Sequence, residues 1–261
     1  MRNKLKYSAL CYICLISFFI NAERFGDPGE IIAIKASSND LDKYLTVEIN
    51  ESLYKLIPLP FEKQNDSIYV DGEKININQK DFGESRITIE NISMVNLSKE
   101  DSDRAFKESK IIQKALNNYS KFLVPDLNFI NPVEGIISSR YGKKRYINDQ
   151  PRSPHLSLDI AAAEGTKIVS PSKGKVILVG DFFYAGNYII IDHGFGLISS
   201  YSHLSSVLVD ENELIEKGQK IGEVGSTGRV TGPHLHWTVY LNKVRINPES
   251  IIKDNFLESL L

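Results

Sequence analysis

The histidines and one aspartate carry most of the chemistry that this sequence can offer. Neutral imidazole is the commonest nitrogen ligand for zinc, and it also carries protons near neutral pH. Clustered histidines therefore indicate a metal site, a proton-transfer site or both. All five histidines of the 261-residue chain lie in its second half: His155, His193, His203, His234 and His236.

Two of them, His234 and His236, are separated by one residue in a stretch, residues 232–240, that alternates like a β-strand. On a strand, side chains two residues apart leave the same face, with their Cα atoms roughly 7 Å apart. One ring could bind a metal while the other reaches a molecule that the metal binds. Alternatively, both rings are half-solvated at a strand edge, and the pair alone does not decide between these.

His155 and Asp159 place an imidazole and a carboxylate four residues apart. On a straight strand this separation is roughly 13 Å, too far for one ion with metal–ligand bonds near 2 Å. The backbone must bend between the two residues if both bind one metal; otherwise they form an ordinary surface ion pair. Taken together with the pair His234 and His236, these two residues can provide two nitrogen ligands and one oxygen ligand. With a fourth position left to water, this is the ligand set of a catalytic zinc site.

The elements that must position these side chains are mostly short β-strands. Between residues 23 and 97, five strand-like runs are separated by turn sequences such as Asp71-Gly72. This spacing predicts a small β-sandwich-like module, and because it contains no histidine we expect no chemistry there. After residue 133 strands return with glycine at nearly every corner, which predicts a closed or layered antiparallel sheet.

One helix is predicted between these two β-rich parts. Ser98 is a suitable N-cap, acidic residues follow it in the first turn, and the helical stretch continues to about Asn118. Residues 121–132 then contain Pro125 and Pro132, which indicates a connector without helix. The fold class is therefore mainly β, with one connecting helix.

Residues 1–22 differ from the rest of the chain. A basic head, an apolar run from Ser8 to Ile20 and the small residue Ala22 are typical of a secretory signal peptide. A retained membrane anchor and a buried N-terminal helix are the alternatives. Both cysteines, Cys11 and Cys14, lie in this segment, so its cleavage would leave no thiol. The formal net charge of −2 offers no basic stripe, and we do not expect nucleic acid as a partner.

Three motifs in order resemble the M23 metallopeptidases, the lysostaphin-like cell-wall endopeptidases, over residues 131–250. They are His155-x-x-x-Asp159, Tyr201-Ser202-His203-Leu204 and Gly232-Pro233-His234-Leu235-His236. The resemblance implies that His155, Asp159 and His236 bind one Zn²⁺ per chain. It implies that His203 and His234 are the catalytic pair that orients water and stabilises the oxyanion, without saying which does which. His193 matches a position that is not a ligand, and the family usually has glycine where Ser157 stands.

The resemblance further implies a secreted zinc metallo-endopeptidase that hydrolyses peptide cross-links of bacterial peptidoglycan in the periplasm or cell envelope. The expected partners are peptidoglycan peptide stems and a protein activator, with no stable membrane insertion after signal cleavage. Two alternatives stay open: a catalytically silent regulator of another cell-wall hydrolase, and a carrier or phosphotransfer β-module. The expected organisation is a signal peptide (1–22), a β-rich N-terminal module (23–97), a helix and linker (98–130), the metallopeptidase domain (131–250) and a C-terminal tail (251–261).

Overall fold

The structure is a computed structural model that describes residues 23–260. The expected signal peptide, with both cysteines, lies outside the described residues, as does the last residue of the tail. The described part of the chain is mainly β, as the sequence predicts. None of its helices is long and apolar enough to cross a membrane.

The N-terminal part contains seven short strands, of which six form two small sheets and the last pairs with a strand of the C-terminal part. One sheet has the strand order β1-β6-β5 and the other β2-β4-β3, and residues from both contribute to one apolar cluster around Leu59 and Ile75. This arrangement agrees with the sandwich-like module expected from the sequence. The strands are β1 (Arg24–Gly26), β2 (Ile31–Lys35), β3 (Thr46–Ile49), β4 (Ser52–Pro58), β5 (Asp66–Val70), β6 (Glu73–Ile77) and β7 (Glu84–Ile87).

Strand β4 is absent from the sequence prediction. Its apolar pattern is interrupted by Lys55, which is 1% exposed and forms ion pairs with Asp40 and Asp71. A buried lysine that is paired with carboxylates occupies a core position but reads as a surface residue in a hydrophobic pattern. The central strand of this sheet therefore could not be recognised from periodicity.

The predicted helix is confirmed as α1 (Lys99–Leu116). The Ser98 hydroxyl accepts a hydrogen bond from the backbone N–H of Asp101 at 3.0 Å, as an N-cap should. Ile112 and Leu116 pack against a cluster that includes Tyr188 and Ile190 of the C-terminal part. Residues 117–135 contain no helix or strand, in agreement with the expected connector.

The C-terminal part is dominated by one large antiparallel sheet with the order β16-β13-β14-β15-β18-β11-β8. Strand β17 pairs with both β12 and β15, and β19 pairs with β18. Its core contains Trp237, Tyr201 and Leu158, all fully buried. The elements are β8 (Ile136–Ser139), β9 (Lys143–Ile147), β10 (Gln150–His155), β11 (Leu158–Ala161), β12 (Lys167–Val169), β13 (Gly174–Phe182), β14 (Gly186–Gly194), β15 (Leu197–Val207), β16 (Leu214–Ile215), β17 (Lys220–Val224), β18 (His234–Leu241), β19 (Val244–Ile246) and the short helix α2 (Pro248–Ile251).

Residues 143–153, which read as a loop in the sequence, instead form most of the hairpin β9–β10. Strand β9 also pairs in parallel with β7 of the N-terminal part, with Ser85 opposite Arg145. The polar run Lys143-Lys144-Arg145 gives no strand periodicity, and its partner strand lies far away in the sequence. The N-terminal part thus contributes a strand beside the region that holds the candidate site.

Candidate active site

Strand register brings the candidate residues together. On β11, Asp159 lies directly opposite His236 of β18, and on the other side of β18 Ser202 of β15 is opposite the same histidine. Cβ atoms of directly opposite residues on antiparallel strands are about 4.5–5.5 Å apart. Asp159 and His236 are therefore neighbours, and the ring of His203, the residue after Ser202, has its centroid 5.7 Å from that of His236.

The backbone bends between His155 and Asp159, as a shared metal would require. Strand β10 ends at His155, Ser157 is a bend, and β11 begins at Leu158. His155 Nε2 is 2.9 Å from Asp159 Oδ1, and both residues are buried, so they are not a surface ion pair. Ser157 makes this bend without a positive φ, and its hydroxyl is 2.7 Å from that of Thr238. Left-handed backbone, which would favour glycine, is not needed at this position.

Three ligand atoms converge at this bend: His155 Nε2, Asp159 Oδ1 and His236 Nδ1. His236 Nδ1 is 2.6 Å from Asp159 Oδ1 and 3.4 Å from His155 Nε2. A tetrahedral ion with bonds of about 2 Å holds its ligands about 3.3 Å apart. His155 Nδ1 donates to the Arg140 carbonyl at 3.1 Å, which leaves Nε2 with the free lone pair. The donor set therefore fits a divalent transition metal such as zinc.

The ionisation of these groups also suits metal binding. Burial alone raises the pKa of the Asp159 carboxyl, but the adjacent imidazoles of His236 and His155 outweigh it and hold this pKa well below its usual range. Burial lowers the pKa of His236 to about 4, although Asp159 opposes the shift. At neutral pH the carboxylate is therefore charged and the His236 ring neutral, the forms that bind metals.

His203 lies beside this triad in a strained conformation. Its φ is +69°, in the left-handed region, at the point where β15 stops pairing with β18 and continues along β17. Such a conformation costs a residue other than glycine about 1–2 kcal/mol. The ring Nδ1 donates to the Thr227 carbonyl at 2.9 Å, so the neutral ring keeps Nε2 as its acceptor. Burial lowers the pKa of His203 well below its usual value, and the nearby rings of His236 and His234 lower it further.

His234 completes the group. Its ring centroid is 4.9 Å from that of His203, and its Nε2 is 4.0 Å from Asp159 Oδ1. Its Nδ1 donates to the Gly232 carbonyl at 2.9 Å, which again leaves Nε2 as an acceptor. The imidazoles of His203 and His234, each with Nε2 as an acceptor, therefore face the three ligand atoms. His234 and His236 lie on the same face of β18, as predicted.

His193 is separate from this group. It is fully buried, its Nδ1 donates to the Lys173 carbonyl at 2.7 Å, and its Nε2 lies 2.7 Å from the Ser199 hydroxyl. The ring also contacts the edge of Phe129 in the core. These contacts agree with the structural role expected from the sequence.

The candidate site lies in a cleft formed by two connected cavities of about 470 and 420 Å³, which share Arg145, Arg229 and His236. We call the part lined by Ser85 and Ile87 the β7 side, and the part lined by Ile112 and Leu116 the α1 side. Elements outside the metallopeptidase-like region therefore form walls of this cleft.

The sequence does not predict the roles of three residues that line the cleft or orient a histidine in it. Thr227 stands within the phrase Gly225-Ser226-Thr227-Gly228, whose small residues indicate a turn but not that a carbonyl there orients a histidine. Arg145 and Arg229 follow no recognisable spacing. Pairing of β9 with the distant strand β7 brings Arg145 to the cleft, and Arg229 reaches it from a bend between β17 and β18.

Known proteins resemble the segment of the chain that holds the candidate site. Residues 153–248 match the description of peptidase family M23. The chain is 39% identical over 120 residues to the peptidoglycan DD-endopeptidase ShyA of Vibrio cholerae, covering 46% of this chain and 27% of ShyA. It is 43% identical over 100 residues to ShyB of the same organism, covering 38% and 23%. The chain thus spans about a quarter of the length of these curated relatives.

A solved structure extends the similarity beyond the matched segment. A Pseudomonas aeruginosa protein assigned to peptidase M23 superposes with a TM-score of 0.66 and 28% identity, covering 86% of this chain and 94% of the other. This coverage includes much of the N-terminal part. The matched segment 153–248 also contains all five residues of the candidate site. Residues 153–248 therefore match a domain of peptidase family M23, and the fold around them resembles a solved structure assigned to that family.

Proposed function

We propose that this protein is a zinc metallo-endopeptidase that hydrolyses peptide cross-links of bacterial peptidoglycan. The observation that carries the proposal is the meeting of His155 Nε2, Asp159 Oδ1 and His236 Nδ1, which lie within 4.8 Å of one another, beside two acceptor imidazoles. The names of the Vibrio cholerae relatives supply the substrate class.

His155, Asp159 and His236 would hold one zinc ion. When bound, such an ion polarises a carbonyl oxygen and lowers the pKa of its water to about 7. The protein supplies two neutral nitrogens and one negative charge in a cleft that is lined on one side by β7 and on the other by α1. The cysteine-rich ligand set of a structural zinc site is absent here, and the ligand count is that of a catalytic site.

His203 and His234 would handle protons and the developing charge. His203 is held neutral by burial, so its Nε2 can take a proton from the attacking water and pass it to the leaving amine. A ring that carries a proton on Nε2 can in turn donate to the negative oxygen that develops on the scissile carbonyl. The two rings lie 4.9 Å apart, and either could fill either role.

The function proposed here places the protein outside the cytoplasmic membrane, in the periplasm or cell envelope, where peptidoglycan lies. The signal-like composition of residues 1–22 supports export. A silent regulator on the same fold would have no need for the complete set of three ligands and two further imidazoles, and their presence favours catalysis.

Digestion of purified sacculi, with mass spectrometry of the released muropeptides, tests the proposal. We expect peptide-bond cleavage that depends on zinc. His155→Ala should lose both metal and cleavage. His203→Ala should keep the metal and lose about 10²–10⁴-fold in rate, the usual contribution of a general acid or base. A zinc-loaded, folded protein that leaves sacculi intact would favour the regulator, and a folded protein that binds no zinc would overturn the proposal.

A further inference from the structure

The α1 side of the cleft is cationic although the protein as a whole has a formal net charge of −2. Four arginines line this side, and two of them extend into the β7 side. The only carboxylate among the residues that line either side is Asp159, one of the three candidate ligands. The four arginines are Arg145, Arg152, Arg229 and Arg245.

These arginines have few charged partners within the described residues. Arg145 Nη2 is 3.6 Å from Asp159 Oδ2, while its Nε is buried and donates to no atom of the described chain. Arg152 and Arg229 have no carboxylate within 4.0 Å in residues 23–260, and Arg152 contacts only neutral acceptors of its own strand, Gln150 and Pro151. Positive charge on this side is therefore largely uncompensated.

Packing fixes the orientation of Arg229. Its guanidinium lies 4.1 Å from the centroid of the Tyr184 ring, a stacked position that leaves the N–H edges available. Burial lowers the pKa of Arg229, and the charges of Arg145 and Arg152 lower it further, which shows that the three groups share one region. Keeping three like charges close together with Asp159 as their one nearby carboxylate carries an electrostatic cost that a further anion would relieve.

The β7 side differs. Apart from the two shared arginines and the histidines, it is lined by hydroxyl and apolar side chains such as Ser85, Ile87 and Val230. The cleft is thus asymmetric about the candidate ligands, with cationic charge concentrated toward α1. Arg145 and Arg152 also precede the segment that matches the family description, residues 153–248. The asymmetry is therefore built in part by the β9–β10 hairpin, which lies mostly outside the matched segment.

We propose that Arg145, Arg152 and Arg229 bind a carboxylate of the substrate peptide on the α1 side of the scissile bond. The inference rests on the proposed peptidase function and narrows its substrate to peptides with a free acid group next to the bond that is cut. Planar guanidinium groups bind carboxylates through paired N–H···O contacts, so these residues would fix the position of the peptide as well as attract it.

Binding of two matched cross-link peptides tests this proposal. The peptides differ only in whether the carboxyl groups near the scissile bond are free or amidated, and each carries a fluorescent label at its far end. Fluorescence anisotropy with the zinc-loaded full chain carrying His203→Ala measures affinity without cleavage. We expect amidation to weaken binding about 10- to 100-fold, the range for losing a hydrogen bond to a charged group.

Arginine variants in the same background locate the effect. Arg152→Gln and Arg229→Gln should each weaken binding of the free acid by about 10-fold or more and leave the amidated peptide unchanged. Arg24→Gln is the matched control, since it removes the same charge from an arginine that pairs with Glu73 in the N-terminal part. It should change neither affinity.

Equal affinity for the free and the amidated peptide would overturn the carboxylate site. So would an equal loss of affinity for both peptides in Arg152→Gln and Arg229→Gln. Failure of the carboxylate site can be distinguished from failure of the proposed function. Sacculus digestion by the protein without His203→Ala tests the proposed function separately. If the free acid binds selectively but no sacculus is cut, the carboxylate site stands and the peptidase proposal fails.

Discussion

Replacing Gly186 by alanine should impair catalysis through Thr227 and His203. Gly186 has a φ of +62°, and a Cβ built on it would lie 2.6 Å from the carbonyl oxygen of Thr227. That oxygen accepts the hydrogen bond from Nδ1 of His203. The substitution therefore pushes against the atom that sets the tautomer and orientation of a proposed catalytic histidine, without touching any proposed metal ligand.

The size of the effect follows from these distances. Ordinary van der Waals contact begins at 3.4 Å, and the added Cβ would lie 2.4 Å from the carbonyl carbon and 2.2 Å from Oγ1 of Thr227, so the carbonyl must retreat by about 1 Å or the backbone at residue 186 must move by the same amount. Added to the present 2.9 Å, a retreat of that size would break the hydrogen bond to His203. Misplacement of a catalytic group by about 1 Å costs on the order of 10²-fold in rate. We therefore expect the turnover rate to fall about 10- to 100-fold.

Gly165→Ala is the matched control. Gly165 also has a positive φ, +84°, but an added Cβ would meet nothing within 4 Å. Both variants should lose about 1–2 kcal/mol of stability from left-handed alanine. Only Gly186→Ala should lose activity on muropeptides, at unchanged zinc content.

The hydrogen bond can be followed without any substrate. ¹H–¹⁵N NMR spectra of the histidine rings should show that the Nδ1–H tautomer of His203 is lost or mixed in Gly186→Ala and retained in Gly165→Ala. If Gly186→Ala were as active as Gly165→Ala and kept the tautomer, the Thr227 carbonyl would not be what positions His203.

Two further predictions concern stability. Ser157→Gly should destabilise the fold by about 1–2 kcal/mol in urea denaturation, because it removes the buried hydrogen bond to Thr238 and adds backbone freedom to the unfolded chain; a more stable variant would show that serine strains this bend. For His193, burial lowers the folded-state pKa to about 4, below the unfolded value of about 6.5, so the unfolded chain binds the proton first and stability falls as the pH drops between these values. From pH 8 to pH 5 this group alone should lower the free energy of unfolding by about 2 kcal/mol. His193→Gln should reduce the pH dependence of the free energy of unfolding by that amount. An unchanged pH dependence would contradict the buried neutral ring.

Much of the candidate site could be predicted because its parts depend on local geometry. Alternation along residues 234–241 predicts a strand, and strand geometry alone places His234 and His236 on one face. Metal–ligand bond lengths require a bend between His155 and Asp159, and the structure has that bend at Ser157. The family usually has glycine at this position, but Ser157 makes the bend without a positive φ, so a serine can occupy it.

The remaining features depend on which strands pair, and no local pattern specifies that. Strand β9 reads as a polar loop because its partner β7 is more than fifty residues away, and with it the position of Arg145 was missed. Strand β4 was not predicted because it contains Lys55, whose partners Asp40 and Asp71 come from a 3-10 helix and from a separate turn. In both cases the strand contains a polar residue that becomes buried or paired only because distant segments of the chain meet.

The same dependence explains why the ligand set is more specific than its sequence spacing suggests. Asp159 reaches His236 only because β11 and β18 pair in the register that places them opposite each other. A slip of one residue would turn Asp159 to the other face of the sheet and separate it from both imidazoles. Buried apolar residues flank Asp159 in β11, Leu158 and Ile160, and a slip would expose them to the cleft. The hydrophobic core thus fixes the register, and through the register it fixes the distance between the carboxylate and the imidazoles.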